Sequence, residues 1–129
     1  MERIDLSSDR RDQMIDVTER VAAAVATLGV RDGAVLVHVP HTTAGVVVNE
    51  GYDPDVARDV LAVLARLVPR DDGYAHAEGN SDSHVKAIMV GGSQLVGVAR
   101  GELVLGRWQR VFFCEFDGPR QRMLQVTPV

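Results

Sequence analysis

The chain has 129 residues, of which 46% are hydrophobic and 25% charged. This composition is typical of a globular protein and excludes a disordered or fibrous class. The formal net charge is −4 and the basic residues form no run, which disfavours binding to nucleic acid. No apolar stretch approaches the ~20 residues that a membrane-spanning helix needs, so we expect no membrane association. We expect a single domain over residues 1–129.

The cysteine content and the N-terminus favour a reducing compartment. Cys114 is the only cysteine and cannot form an internal disulfide bond. Residues 1–5 lack the apolar core of a signal peptide. We therefore expect a cytoplasmic protein. Because Cys114 ends the apolar run 111–114, we expect its thiol to be buried and inert rather than nucleophilic.

Two segments have apolar residues at helical spacing. The first runs from Asp12 to Leu28 and predicts a helix that ends at Gly29. The second begins at Asp53, which can cap a helix, and places Pro54 at the first helical position. We expect this second helix to end before Pro69.

The remaining pattern predicts strands and one short helix. A short helix should follow the polar loop 70–83, with Ser81 or Asp82 as its cap and Met89 near its end. The predicted strands are runs rich in β-branched or aromatic residues between turn signals, at 4–6, 34–39, 44–49, 94–99, 103–105, 108–116 and 123–127. About seven strands with two main helices indicate an α+β domain. The consecutive apolar residues 111–114 predict a strand covered on both faces, by this chain or by a neighbouring subunit.

Three of the four histidines lie in polar, turn-rich surroundings: His41, His76 and His84. Imidazole is a common ligand of zinc, and three imidazoles plus water form the open coordination of many catalytic sites. Their spacing matches no self-standing metal motif, so the alternative that they bond to loop backbone stays open. The fourth, His38, lies within a predicted strand, where we expect a core or interface position.

A series of short motifs in a fixed order carries a family resemblance: His41-Thr42-Thr43-Ala44-Gly45, Asn49-Glu50, Asp53-Pro54-Asp55-Val56, Asp59, Tyr74-Ala75-His76, Glu78-Gly79-Asn80, Ser83-His84-Val85-Lys86, Gly106-Arg107-Trp108-Gln109 and Glu115-Phe116-Asp117. With these the chain resembles the YjbQ-like family, also called the secondary thiamine-phosphate synthase family, over nearly its whole length. The resemblance implies an α+β domain with a β-sandwich that assembles as a homotrimer. It also implies a metal-containing pocket lined by His41, His76 and His84. Arg107 stands where the family commonly has threonine.

Two groups of residues are candidates for catalytic and substrate-binding roles beside such a metal. We expect the metal to be a divalent ion, and zinc in particular. The catalytic candidates are Glu50, as proton carrier or orienting group, with Asn49 and Asp59. The alternative for these three is solvation at a strand end or on a helix surface. The substrate-binding candidates are Thr42, Thr43, Gly79, Asn80, Lys86 and Arg107, whose alternatives are turn stabilisation and solvated surface positions.

The family name implies a thiamine-phosphate synthase reaction, in which a phosphorylated thiazole is joined to a pyrimidine diphosphate with loss of pyrophosphate. Pyrophosphate departure usually uses magnesium held by carboxylates, whereas three imidazoles suit zinc, so this reaction can be a side activity. The first alternative is a zinc-dependent hydrolase of a small phosphate or acyl substrate. The second is a non-catalytic trimeric module that binds metal or another ligand. The expected partner is a small-molecule substrate, which we expect to be phosphorylated.

Overall fold

Eight strands and three helices make up the fold in the computed structural model, which describes all 129 residues. The elements follow the chain as β1 (Glu2–Ser7), β2 (Gln13–Asp16), α1 (Thr18–Leu28), β3 (Gly33–His38), β4 (Ala44–Glu50), α2 (Pro54–Leu67), α3 (Ser81–Val90), β5 (Ser93–Ala99), β6 (Glu102–Leu103), β7 (Gln109–Glu115) and β8 (Gln121–Pro128). The α+β class expected from the sequence is confirmed. None of the three helices is long and apolar enough to cross a membrane.

The strands form two antiparallel sheets. One has five strands in the order β1-β8-β3-β5-β6, and the other has three in the order β2-β7-β4. Side chains alternate across each strand, so β3 buries Val35 and Val37 while Leu36 and His38 face outward. His38 is therefore not part of the core of this chain, and its position in an interface between subunits stays a prediction.

The main core lies between the two sheets and is dominated by valine. It contains sixteen buried residues drawn from both sheets and from α1. Its β-branched side chains suit the pleated surface of paired strands. A second, smaller core lies on the opposite face of the three-stranded sheet, where Phe112, Cys114 and Phe116 meet side chains of α2 and α3. Strand β7 is thus covered on both faces, as its continuous apolar run predicted.

The first predicted helix begins later than expected. Gln13–Asp16 forms a strand, because this segment pairs with β7 in the register Met14 to Cys114 and Ile15 to Phe113. The side chain of Asp16 then accepts hydrogen bonds from the backbone N–H of Thr18, at 2.9 Å, and from its hydroxyl, at 2.7 Å. Helical spacing of apolar residues therefore does not exclude a short strand when a neighbouring strand supplies the pairing. This segment brings the strand count to eight instead of about seven.

The second helix matches the sequence closely. Asp53 caps α2 by accepting a hydrogen bond from the backbone of Asp55 at 3.0 Å, and Pro54 is the first helical residue. The helix lies on the outside of the fold, and none of its residues is fully buried.

A buried ion pair joins the two sheets at one end of the sandwich. Glu115 at the end of β7 is fully buried, and Arg122 on β8 is 6% exposed. Burial alone would raise the pKa of Glu115, but hydrogen bonds from Arg122 and Ser8 outweigh it and hold that pKa below its ordinary value.

We predict that the free energy of unfolding falls as the pH is lowered into the acid range. Glu115 has a lower pKa in the folded chain than in the unfolded chain. Its stabilising effect is therefore complete above the unfolded pKa and is lost as the pH falls through the folded pKa. Urea unfolding at a series of pH values measures this slope.

The substitution Glu115→Gln is the matched variant for this prediction. It should lower the stability at neutral pH by about 3–5 kcal/mol, because Arg122 is left buried without a counter-charge. It should also reduce the acid slope. If the free energy of unfolding of this variant fell with pH as steeply as that of the wild-type protein, Glu115 would not be a source of the acid sensitivity.

Candidate functional site

His41 lies in the connection between β3 and β4, where its ring contacts the backbone of β8. Its Nε2 is 3.0 Å from the backbone nitrogen of Met123 and 3.1 Å from the carbonyl oxygen of the same residue. A neutral imidazole can accept from the N–H or donate to the carbonyl through this nitrogen, but not both at once. Burial, followed by the positive charge of Arg122, lowers the pKa of His41 and favours the neutral ring. Nδ1 makes no hydrogen bond within the chain.

His84 lies in the first turn of α3, and its ring orientation is set by the connection that holds His41. Its Nδ1 is 3.1 Å from the carbonyl oxygen of Thr42. A carbonyl oxygen only accepts, so Nδ1 carries the proton, and in the neutral ring Nε2 is the nitrogen with the lone pair. Metal-binding histidines commonly have one ring nitrogen held by a backbone carbonyl in this way.

His76 lies in the loop between α2 and α3, beside His84. The two ring centroids are 5.7 Å apart and the rings are nearly perpendicular. The Nε2 atom of His76 is 3.7 Å from a carboxylate oxygen of Glu78, and both side chains are exposed. No group of three or more histidine, cysteine, aspartate or glutamate side chains is placed to hold a metal ion within one chain. The structure therefore brings His76 and His84 together as a pair.

His41 and His84 line one open cavity of about 410 Å³, here called the histidine cavity. Its lining residues are His41, Thr42, Ala44, His84, Ala87, Ile88, Gly91 and Gly92. The volume lies within the range of sites for small molecules. Its lining combines two histidines, each with one ring nitrogen that has no partner in the chain, with the apolar side chains of Ala44, Ala87 and Ile88.

A second cluster of buried charges fixes α3 beside this cavity. Asp82 is fully buried and accepts two hydrogen bonds of 2.9 Å from Arg11. Lys86 is 2% exposed, and its Nζ lies 2.9 Å from Asp12 and 3.2 Å from Asp82. Burial would raise the pKa of Asp82, but the hydrogen bonds from Arg11 and Lys86 outweigh it and lower that pKa. Lys86 thus holds the helix in place and is not accessible to a substrate, contrary to its sequence-based role.

Glu50 and Asn49 lie far from His41 in the same chain. His41 precedes the first residue of β4, whereas Glu50 is the last, and six steps along a strand span roughly 20 Å. Glu50 accepts backbone hydrogen bonds from Tyr52 and Asp53, and Asn49 accepts one from Glu50. The expectation that Glu50 sits near His41 is wrong for a single chain.

Asp59 and Arg107 are also outside the histidine cavity. Asp59 is exposed on α2, beside a shallow apolar groove. Arg107 is exposed and lies over the ring of Trp108, at 4.7 Å from the ring centroid. Trp108 is itself 54% exposed and contacts Tyr52 edge to face.

The other substrate-binding candidates divide into one cavity residue and three that shape the backbone. Thr42 is exposed and lines the cavity, whereas Thr43 is buried and its hydroxyl accepts a hydrogen bond of 2.7 Å from Arg122. Asn80 precedes α3 and donates to Asp117 at 2.9 Å, while its Oδ1 is buried without a partner. Gly79 has a φ of 77°, which suits glycine in the turn before the helix.

The sequence alone did not reveal the buried charges that frame the site. Glu115 stood in one of the family motifs, but the sequence did not indicate that its partner Arg122, or Asp82, is buried. One signal for this burial was Glu115 itself, which follows directly after the apolar run 111–114. A charge at such a position needs a partner. Cys114 is buried and burial raises its pKa to about 12, which confirms the expectation of an inert thiol.

Comparison with known proteins places the chain in a family. The family model described as "UPF0047 protein YjbQ-like" matches residues 2–129. The chain belongs to this family. The YjbQ-like relatives include the UPF0047 protein YugU of Bacillus subtilis, 44% identical over 127 residues, with 98% of this chain and 96% of YugU covered. A UPF0047 protein of Methanocaldococcus jannaschii is 41% identical over 121 residues, covering 94% of this chain and 88% of the relative.

Solved structures of YjbQ-like proteins have the same fold. An uncharacterized conserved protein of the YjbQ/UPF0047 family from Clostridium acetobutylicum matches with a TM-score of 0.98 and 45% identity, over 100% of both chains. A conserved hypothetical protein from Thermus thermophilus matches with a TM-score of 0.93 and 41% identity, also over 100% of both chains. These relatives establish the family and the fold, and they do not establish a reaction.

A close backbone approach fixes the distance between the two sides of the site in this YjbQ-like protein. Gly45 on β4 lies against the end of α3, where the backbone nitrogen of Val46 donates to the carbonyl oxygen of Gly91 at 3.0 Å. A Cβ atom at Gly45 would lie 2.5 Å from that oxygen and 2.9 Å from a methyl group of Val90. Only glycine allows this contact.

We predict that Gly45→Ala destabilises the protein by about 1–3 kcal/mol, because the added methyl forces α3 away from β4. Gly97→Ala is the matched control, since its methyl would meet only Val104 at an ordinary 3.5 Å. Thermal unfolding should show a clear fall in Tm for the first variant and little change for the second. Equal Tm values for the two variants would contradict the prediction.

Proposed function

We propose that this protein is a metal-dependent enzyme that acts on a small phosphorylated molecule in the histidine cavity. The observation that carries the proposal is the orientation of His84, whose Nδ1 is held by the carbonyl oxygen of Thr42 while Nε2 is left free. The adjacent ring of His76 offers a second imidazole. His41 also lines the cavity, and its Nδ1 has no hydrogen-bond partner within the chain.

The donor set suits zinc better than magnesium, because imidazole nitrogen is a borderline ligand and magnesium prefers oxygen. Within one chain His76 and His84 would hold such an ion as a pair, and Nδ1 of His41, whose Nε2 is occupied by Met123, would contact the ligand bound beside it. When bound, a zinc ion supplies Lewis-acid polarisation of a phosphate or carbonyl oxygen. Thr42, exposed at the cavity, can donate its hydroxyl to a substrate oxygen.

The reaction we propose to test first is thiamine-phosphate synthesis from a phosphorylated thiazole and a pyrimidine diphosphate, which the family resemblance implies. No phosphate-binding glycine loop is present, so grip on the phosphates would come from cavity hydroxyls and from residues of other copies of the chain. Hydrolysis of a small phosphate or acyl ester is the alternative reaction at the same site. Binding without turnover would identify a metal- or ligand-binding module.

We further propose that the active assembly is a homotrimer in which neighbouring copies complete the site. Glu50 is the proposed proton carrier, and it lies at the opposite end of β4 from His41. Another copy of the chain can bring its Glu50 to the cavity. Exposed apolar side chains on two helices support this arrangement, because such patches mark interaction surfaces: Val85, Ile88 and Met89 on α3, and Val60, Val63 and Leu67 on α2.

We predict that His84→Ala and His76→Ala each weaken zinc binding by more than about 100-fold, since loss of an outer-shell partner alone costs about 10–100-fold. His38→Ala is the matched control, because His38 is exposed on β3 and lies outside the cavity. Calorimetric titration with a zinc salt measures the affinity, and pyrophosphate release from the two precursors measures turnover. Wild-type zinc affinity in both variants would refute the proposed metal site.

We predict that light scattering shows a particle with three times the 14.0 kDa mass of one chain. We also predict that two inactive variants complement each other when their subunits are mixed. Random mixing of His84→Ala and Glu50→Ala subunits should recover about one quarter of the wild-type turnover, because some sites combine an intact histidine with an intact glutamate from a neighbour. A stable monomer of 14.0 kDa would rule out the assembly. Absence of recovery in mixed trimers would place Glu50 outside the shared site.

A further inference from the structure

The ion pair between Glu115 and Arg122 is fully saturated with hydrogen bonds. Arg122 donates from Nε to one carboxylate oxygen at 2.8 Å and from Nη2 to the other at 2.5 Å. Ser8 donates its hydroxyl to the first oxygen at 2.6 Å, and the backbone nitrogens of Phe116 and Asp117 donate to the second at 3.1 Å each. The carboxylate therefore has one fixed orientation, which in turn fixes the guanidinium.

The same guanidinium reaches the connection that carries His41. Arg122 Nη2 lies 2.7 Å from the hydroxyl oxygen of Thr43 and 3.4 Å from its carbonyl oxygen. The backbone nitrogen of Phe116 also donates to the carbonyl oxygen of Thr43, at 3.1 Å. Thr43 is thus held by β8 through Arg122 and by the end of β7 through Phe116. These two strands belong to different sheets.

The ring of His41 takes the place of a missing strand partner. Strands β3 and β8 pair from Val35 with Pro128 to His38 with Gln125, and the same register would set Pro40 opposite Met123. Proline has no N–H to donate, so at this register the carbonyl oxygen of Met123 has no donor in the ladder. The Nε2 atom of His41 occupies this position. Two consecutive residues of β8, Arg122 and Met123, therefore hold Thr43 and His41.

We propose that Glu115 and Arg122 are positioning residues of the histidine cavity, which hold the residues 41–43 against β8 and so present Nδ1 of His41 to the ligand. A buried ion pair is a weak source of stability but a directional one, and the planar fork of arginine can bind a carboxylate and a hydroxyl at once. The role of this ion pair in presenting Nδ1 to a ligand rests on the proposed function. Its effect on the orientation of the His41 ring does not depend on that function.

The test uses two variants that keep the fold's charges and shape. Arg122→Lys preserves the positive charge beside Glu115, but an ammonium lacks the rigid fork that spans the carboxylate and Thr43. Thr43→Val removes only the hydroxyl that Arg122 contacts, and Thr43→Ser restores it. Arg110→Lys is the control, because Arg110 binds Asp16 and Glu19 on another part of the surface.

The readout is the pair of imidazole ¹⁵N chemical shifts of each of the four histidines, measured without metal on the full chain at alkaline pH. In the wild-type protein the two nitrogens of His41 should have well-separated shifts, because the proposal requires Nε2 to donate to the carbonyl oxygen of Met123 and Nδ1 to be the unprotonated nitrogen. In Arg122→Lys and Thr43→Val the two shifts should move towards each other. They should stay at wild-type values in Thr43→Ser and Arg110→Lys, as should those of His38 in every variant.

Zinc affinity provides the second measurement, and we expect it to weaken by about 10–100-fold in Arg122→Lys and Thr43→Val. Wild-type ring shifts for His41 in Thr43→Val would overturn the proposal, even if Arg122→Lys does not fold. So would averaged shifts for His41 in the wild-type protein. If zinc does not bind but the ring shifts change as expected, the positioning role holds and the proposed metal site fails.

Discussion

The arrangement of this site depends on the buried pair of Glu115 and Arg122. Its two residues come from the two sheets of the sandwich, so the pair fixes how the sheets meet at the end where the histidines lie. Two charges away from water are tolerable only when every hydrogen-bonding position is used, and here the hydroxyl of Ser8 and two backbone N–H groups complete the set. A group with so many directional partners has one orientation.

The histidine cavity lies between two such clusters of buried charge. On one side, Arg122 holds the connection with His41 and Thr43. On the other, Asp82 and Lys86 hold the helix that carries His84. The contact at Gly45 fixes the spacing between the two sides, and the carbonyl of Thr42 joins them by accepting from His84. Two imidazoles are thus oriented by rigid elements, although each is contributed by a turn or a helix end.

The distribution of polar side chains along β4 has a consequence for assembly. The histidines gather at the start of this strand, whereas Glu50 closes its far end. A single chain therefore presents these imidazoles without the proposed proton carrier. Closed assemblies of identical chains can unite opposite ends of one strand, because each copy presents both ends in a symmetric arrangement. The exposed apolar side chains of α2 and α3 are consistent with surfaces that such an assembly would cover.

The sequence by itself determined the elements whose signals are local. The start of α2 followed from Asp53 and Pro54, and the burial of β7 followed from its apolar run, because capping and side-chain alternation act within a few residues. Only the tertiary structure decided that Gln13–Asp16 is a strand, that Lys86 is buried, and that Glu50 is remote from His41. These facts depend on strand pairing and on ion pairs between residues distant in the chain. Such interactions have no local signature, since any carboxylate can satisfy a buried cation once the fold brings the two together.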